Sequence, residues 1–235
     1  MQPVIEYDLP IVEEIYFSSN GLRLHGELVY PENGRVIGAA IIAGPHPLLG
    51  GNMHNNVVRG IGDELARRQV VTLRFNYRGV GRSEGPRMDV IGNLAEFWKT
   101  SHVPDEMDLS QDVQGAIDYA RQAAGPDLPI ALIGYSFGCA LLPNVQLDVG
   151  SLALILLAPT IAKHDYDSYL AVNNPKLVIA SEDDFASDAA RLQRWFDELT
   201  PTKHLIQKRF DNHFFRGHEA WLAETIFDFL RGQWS

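Results

Sequence analysis

The sequence predicts an α/β fold: a mostly parallel central sheet of about eight strands, entered through an antiparallel hairpin, with helices on both faces. Three observations carry that expectation. Residues 12–30 alternate polar and apolar side chains about Asn20-Gly21, the pattern of a hairpin closed by a two-residue turn. Residues 36–43 form a continuous apolar run, as a strand covered on both faces requires. From there to the end of the chain, strand-like runs alternate with helix-spaced ones, which builds a parallel sheet joined by crossover helices.

The elements follow in order. After the turn at Pro31-Glu32-Asn33-Gly34 and the strand at 36–43, residues 57–68 carry Val58, Ile61 and Leu65 at helical spacing. The strand at 70–77 ends in Arg78-Gly79-Val80-Gly81. Residues 109–123 predict an amphipathic helix through Val113, Ile117 and Ala120, and 130–133 a short buried strand. Three more strands are expected at 152–157, 176–180 and 204–210, and a closing helix at 220–230. The segment 86–108 has no clean period and bears Met88, Phe97, Trp98 and Met107. A connection of that length is read as a lid insertion over a site, with a flap packed on the core as the alternative. No repeat, low-complexity tract or linker divides residues 1–235, so a single domain follows.

Composition excludes several classes. With 46% hydrophobic residues over 235 positions, the chain can build a core for one large domain. A net charge of −10 argues against nucleic acid and anionic membrane as partners. The one cysteine, Cys139, can form neither an internal disulfide nor a thiolate zinc site. No apolar run approaches the ~18 residues of a spanning helix. The opening Met1-Gln2-Pro3-Val4-Ile5-Glu6 lacks the character of a signal peptide, and a cytoplasmic location is expected.

The chemistry is concentrated at Gly134-Tyr135-Ser136-Phe137-Gly138, directly after the apolar strand at 130–133. A serine flanked by glycines at ±2 between strand and helix has the form of a nucleophile elbow, a tight turn that lifts a hydroxyl out of the sheet. Such a nucleophile needs a base, and the base needs an orienting acid. Both belong on loops leaving the carboxyl ends of later strands. The strand at 176–180 runs into Ser181-Glu182-Asp183-Asp184, and the strand at 204–210 into Asp211-Asn212-His213. Ser136, Asp184 and His213 are therefore the candidate catalytic residues. Asp183 and Glu182 are the alternative acids, and His218 the alternative base.

Oxyanion donors are expected from the N–H of Phe137 and from the loop Gly44-Pro45-His46-Pro47-Leu48-Leu49-Gly50-Gly51. Pro45 and Pro47 carry no N–H, which leaves His46 or Leu48. Phe97, Trp98 and Met107 are the candidate pocket and lid residues. Gly79-Val80-Gly81-Arg82-Ser83-Glu84 lacks the third glycine of a dinucleotide fingerprint, and no H-E-x-x-H or phosphate-binding G-x-x-x-x-G-K-[ST] occurs. No cofactor and no metal are expected.

At these residues the chain resembles the α/β-hydrolase superfamily over essentially its whole length, with its Ser…Asp…His order. More narrowly, it resembles a small bacterial group of predicted hydrolases related to serine aminopeptidase-like and dienelactone-hydrolase-like domains. The resemblance rests on His46-Pro47-Leu48-Leu49-Gly50-Gly51, on Arg74-Phe75-Asn76-Tyr77-Arg78-Gly79-Val80-Gly81-Arg82-Ser83-Glu84-Gly85, on the elbow, and on Asp211-Asn212-His213-Phe214-Phe215. Three departures from the group stand out. The segment 86–108 is long, Pro143 falls inside the expected post-elbow helix, and Gly44 replaces the first histidine of a double His-Pro. The resemblance implies a serine esterase, thioesterase or peptidase-like hydrolase acting on a small-molecule acyl substrate. An acyltransferase or cyclase using the same acyl-enzyme, or a non-catalytic binding module, is the alternative. The oligomeric state, homodimer included, is left open.

Overall fold

The computed structural model describes residues 9–125, 127–147, 152–210 and 213–234. The predicted hairpin is formed by β1 (Ile11–Ser19) and β2 (Leu22–Tyr30), paired antiparallel from Ile11 opposite Tyr30 to Ser19 opposite Leu22. Asn20 (φ 45°) and Gly21 (φ 80°) both take left-handed conformations, the geometry whose twist matches that of two flanking strands. There follow β3 (Gly38–Ala43), β4 (Val70–Phe75), β5 (Ile130–Tyr135), β6 (Leu152–Leu157), β7 (Lys176–Ser181) and β8 (Lys203–Lys208). They form one eight-stranded sheet in the order β1-β2-β4-β3-β5-β6-β7-β8, antiparallel from β1 to β4 and parallel from there on.

Every residue of β3, β5, β6 and β7 is buried, because helices cover the parallel part of the sheet on both faces. Successive side chains alternate between two cores. Ile41, Leu132, Leu154 and Val178 pack with α3 (Ser110–Ala124), the short α4 (Phe137–Leu141) and α5 (Ala189–Glu198). Ile42, Ile133, Ile155 and Leu177 pack with α1 (Asn56–Arg67) and α6 (Glu219–Gln233). Pro143 cuts α4 short and leaves a 3₁₀ turn at Leu142–Asn144, as its missing N–H demands.

The segment 86–108 departs from the sequence expectation. Residues Val90–Thr100 form a helix, α2, capped by Asp89, whose side chain accepts from the Gly92 N–H. Val90, Ile91, Leu94, Phe97 and Trp98 recur along α2 at helical spacing, yet no residue of the helix is buried. The glycine-rich stretch after β4 is structural. Arg78 grips the buried Asp112 of α3 at 2.7 Å, and the Ser83 hydroxyl donates to Asn76 O while accepting from the His25 N–H.

Candidate active site

Ser136 connects β5 to α4 in a conformation (φ 57°, ψ −119°) that non-glycine residues avoid. The strain is held by the surroundings. Its N–H donates to Leu157 O at 2.8 Å, tying the turn to β6. A Cβ on Gly138 would sit 2.1 Å from Ala43 O, and one on Gly134 2.7 Å from the Cys139 Cα. Only glycines let β5, α4 and β3 approach this closely. Cys139 is sealed beneath the turn, its thiol directed at Gly134 O and Leu157 O, and burial pushes that thiol far above its ordinary range.

The turn aims the Ser136 hydroxyl at His213, with Oγ 2.8 Å from Nε2. His213 Nδ1 lies 2.9 and 2.8 Å from the two carboxylate oxygens of Asp184. An ionised carboxylate only accepts, so Nδ1 carries the proton and Nε2 turns its lone pair to the serine hydroxyl. Asp184 is fixed in turn by the Ala186 N–H at 2.8 Å. The imidazole lies between the Tyr135 and Phe185 rings, with centroids 6.0 and 5.0 Å away. Of the alternative acids, Asp183 faces outward, where it accepts from the Ser181 hydroxyl at 2.6 Å and approaches Arg209, and Glu182 is exposed. His218 stands at the N-terminus of α6 against the Phe210 ring. Asp211 and Asn212, which precede His213 in the motif, lie outside the described residues.

In the loop after β3 the two expected donors differ in what they bond. Leu48 N–H donates to His46 Nδ1 at 3.0 Å within a 3₁₀ turn at Pro47–Leu49, so Leu48 is spent on local capping. The His46 N–H makes no hydrogen bond among the described residues. Phe137 N–H opens α4, where a helix offers it no acceptor. With Nδ1 accepting, His46 donates through Nε2 to Glu106 Oε2 at 3.2 Å.

Glu106 went unmarked in the sequence analysis, yet it is the polar hub behind this loop. It is buried, and besides His46 it takes the Val103 N–H at 2.9 Å and His102 Nδ1 at 2.7 Å. Burial raises its pKa, but the imidazoles of His164, His46 and His102 and the Val103 N–H outweigh that and hold the carboxyl well below the usual range. His102, Glu106 and His164 bring three metal-ligand atoms within 4.8 Å of one another, a grouping that sequence spacing did not reveal.

A pocket of about 450 Å³ opens above Ser136 and His213. Phe97 and Trp98 of α2 line it, together with Tyr135, Phe137, Phe185 and Phe214. Met107 does not. It belongs to the 3₁₀ turn Glu106–Leu109, which buries Glu106 and Leu109 and so turns Met107 toward solvent. Phe185 and Phe214 flank Asp184 and His213 directly and were legible only as their neighbours.

The strand order, the elbow on β5 and the loops gathered at the carboxyl edge of the sheet define an α/β-hydrolase fold. Residues 47–212 match the family described as serine aminopeptidase, S33 (Hydrolase_4), and the chain belongs to that family of α/β hydrolases. Over 226 residues it is 24% identical to the uncharacterized protein RP471 of Rickettsia prowazekii (strain Madrid E), covering 92% of this chain and 88% of that one. Its structure is similar to XC6422 from Xanthomonas campestris, described as a member of the α/β serine hydrolases without lid, at TM-score 0.74, 23% identity and 94% coverage of both chains. It is also similar to Est1E from Butyrivibrio proteoclasticus, solved with ferulic acid bound, at TM-score 0.72, 18% identity and coverage of 93% and 98%. Among the described residues no helix is long and apolar enough to cross a membrane.

Proposed function

We propose that the chain is a serine hydrolase that cleaves an ester, thioester or amide through an acyl-enzyme on Ser136. The observation that carries this reading is the unbroken relay from Ser136 Oγ to His213 Nε2 (2.8 Å) and from His213 Nδ1 to Asp184 (2.8 Å). Ser136 Oγ attacks the substrate carbonyl while His213 Nε2 takes its proton. Asp184 keeps the imidazole oriented and stabilises the imidazolium. The backbone N–H groups of Phe137 and His46 receive the developing oxyanion. The imidazolium then protonates the leaving group, which departs, and water repeats the cycle to release the acid.

The aromatic lining by Phe97, Trp98, Phe185 and Phe214 favours an apolar acyl group of moderate size, flat groups included. The ferulic acid bound by Est1E agrees with that preference. In this reading α2 serves as a lid that completes the acyl pocket. A panel of p-nitrophenyl esters of rising chain length, an aromatic ester, acyl-CoA thioesters and aminoacyl anilides tests it. Turnover is expected to peak with a medium-length or aromatic acyl group. No turnover of any member by folded protein would reject the hydrolase reading.

A further inference from the structure

Behind the pocket wall, the segment after α2 meets the loop after β6 at side chains that the proposed hydrolysis leaves unused. Glu106 is buried with one oxygen, Oε2, committed to the His46 ring and the Val103 N–H. Its other oxygen, Oε1, faces His102 Nδ1 at 2.7 Å and His164 Nε2 at 3.4 Å. His164 is buried and is oriented from its far side by the Thr160 hydroxyl, 2.9 Å from Nδ1. That is how a metal-ligating imidazole is commonly fixed. Its Nε2, however, makes no hydrogen bond among the described residues. The 3.4 Å contact with Glu106 Oε1 pairs the two groups only loosely, and a buried ring nitrogen so weakly satisfied has room for a closer partner.

The spacing suggests what. In a tetrahedral zinc site with bonds of about 2.0–2.1 Å, neighbouring ligand atoms stand roughly 3.3–3.4 Å apart. The separation between His164 Nε2 and Glu106 Oε1, 3.4 Å, is that edge. The His102 contact is shorter because a proton occupies it, and the 48% exposure of the His102 side chain gives the ring room to turn outward by under an ångström. The two imidazole rings already converge nearly perpendicular, 85° between planes with centroids 4.9 Å apart. Two imidazoles and one carboxylate form a borderline donor set suited to zinc-like ions, with a fourth position left for water.

We propose that His102 Nδ1, Glu106 Oε1 and His164 Nε2 bind one divalent transition-metal ion of the zinc type, which staples the segment carrying α2 to the loop after β6. The ion displaces the proton at His102 Nδ1 and gives His164 Nε2 a closer partner than its 3.4 Å contact with Glu106. Since His164 also lines the pocket, the staple fixes the distance between its α2 wall and the opposite wall. The inference is independent of the role of Ser136.

Chelator-treated full-length protein titrated with zinc chloride, followed by calorimetry and by thermal unfolding, tests it. Expected are one Zn²⁺ per chain and a melting temperature that rises with the metal. His102→Ala and His164→Ala should each weaken binding by about tenfold or more, while His204→Ala on the distant β8 should leave it unchanged. His102 is half exposed, so its variant keeps the fold even if His164→Ala does not. Absence of saturable binding, or binding that His102→Ala leaves intact, would overturn the proposal.

Discussion

The elbow wall of the pocket and the wall contributed by α2 are held in opposite ways. At the elbow, every residue of β5 and α4 is buried, Ser136 is strained, and two glycines are required by contacts under 3 Å. At α2, no residue is buried, and Phe97 and Trp98 rest against the pocket from outside. The first wall is over-determined by packing, as a geometry that must hold reacting atoms in line has to be. The second is held by the Phe97 ring against His46, 5.8 Å between centroids, and by the Glu106 anchor that follows the helix. The difference predicts that changes at the elbow destroy chemistry or fold, whereas changes at α2 alter which substrate is preferred.

The largest effect should come from Ser136→Ala, which is expected to lower kcat by about a thousandfold or more with the fold intact by circular dichroism. His213→Ala should cost a similar factor, and the double variant little more, because relay members act as a unit. Asp184→Asn should also be severe, since the amide would present the wrong group to His213 Nδ1. Asp183→Asn, altering an outward-facing carboxylate, should be mild in the same assay. Reversal of that pair would move the acid by one residue.

Gly138→Ala probes the packing of the elbow. The added methyl has only 2.1 Å to the Ala43 carbonyl, and the loss should be about 3 kcal/mol or more by chemical denaturation, with activity falling alongside. At the other wall, Phe97→Ala and Trp98→Ala should change stability by less than about 0.5 kcal/mol. Their effect should appear instead in KM and in acyl chain-length preference across the ester series. A large stability loss there would erase the contrast between the walls and turn α2 into core.

The smallest expected effect lies at the far end of β7 and serves as a control. Lys176 is buried and donates to the carbonyls of Val172 and Asn174 and to the Thr200 hydroxyl. Burial, and then the nearby Lys203 charge, push its ammonium down to about 8 from an ordinary 10.5. Between those values the unfolded chain keeps a proton that the folded chain has released, so this residue adds stability as pH rises through the window. The stability difference between the parent chain and Lys176→Met should therefore shift in favour of the parent across it, with kcat unaffected by either protonation state.

The contrast between the walls also explains what the sequence could disclose. Strands β3, β5, β6 and β7 are buried at every position, and apart from Lys176 and Ser181 at the ends of β7 they carry apolar side chains or glycine, so their runs stood out. Ser136, Asp184 and His213 each follow a strand end in a local pattern, so their meeting could be anticipated. Helix α2 has its own stripe of Val90, Ile91, Leu94, Phe97 and Trp98 and the Asp89 cap, but the irregular flanks within 86–108 hide that spacing when the segment is taken as a whole. The bond that occupies the Leu48 N–H comes from a side chain within the loop, which no spacing discloses. Glu106 acquires its meaning from His46 and His164, both distant in the chain, which no spacing rule connects. The outward turn of Met107 has no sign in sequence, because the direction of a side chain within a 3₁₀ turn depends on which of its neighbours the core takes.

The central claim, that Ser136 is an activated nucleophile, is tested most directly by intact-mass spectrometry after brief treatment with a fluorophosphonate. One adduct per chain, mapped to the peptide containing Ser136, lost in Ser136→Ala and strongly slowed in His213→Ala, is the predicted result. A folded, active protein that remains unmodified, or that carries the adduct on a different residue, would contradict it.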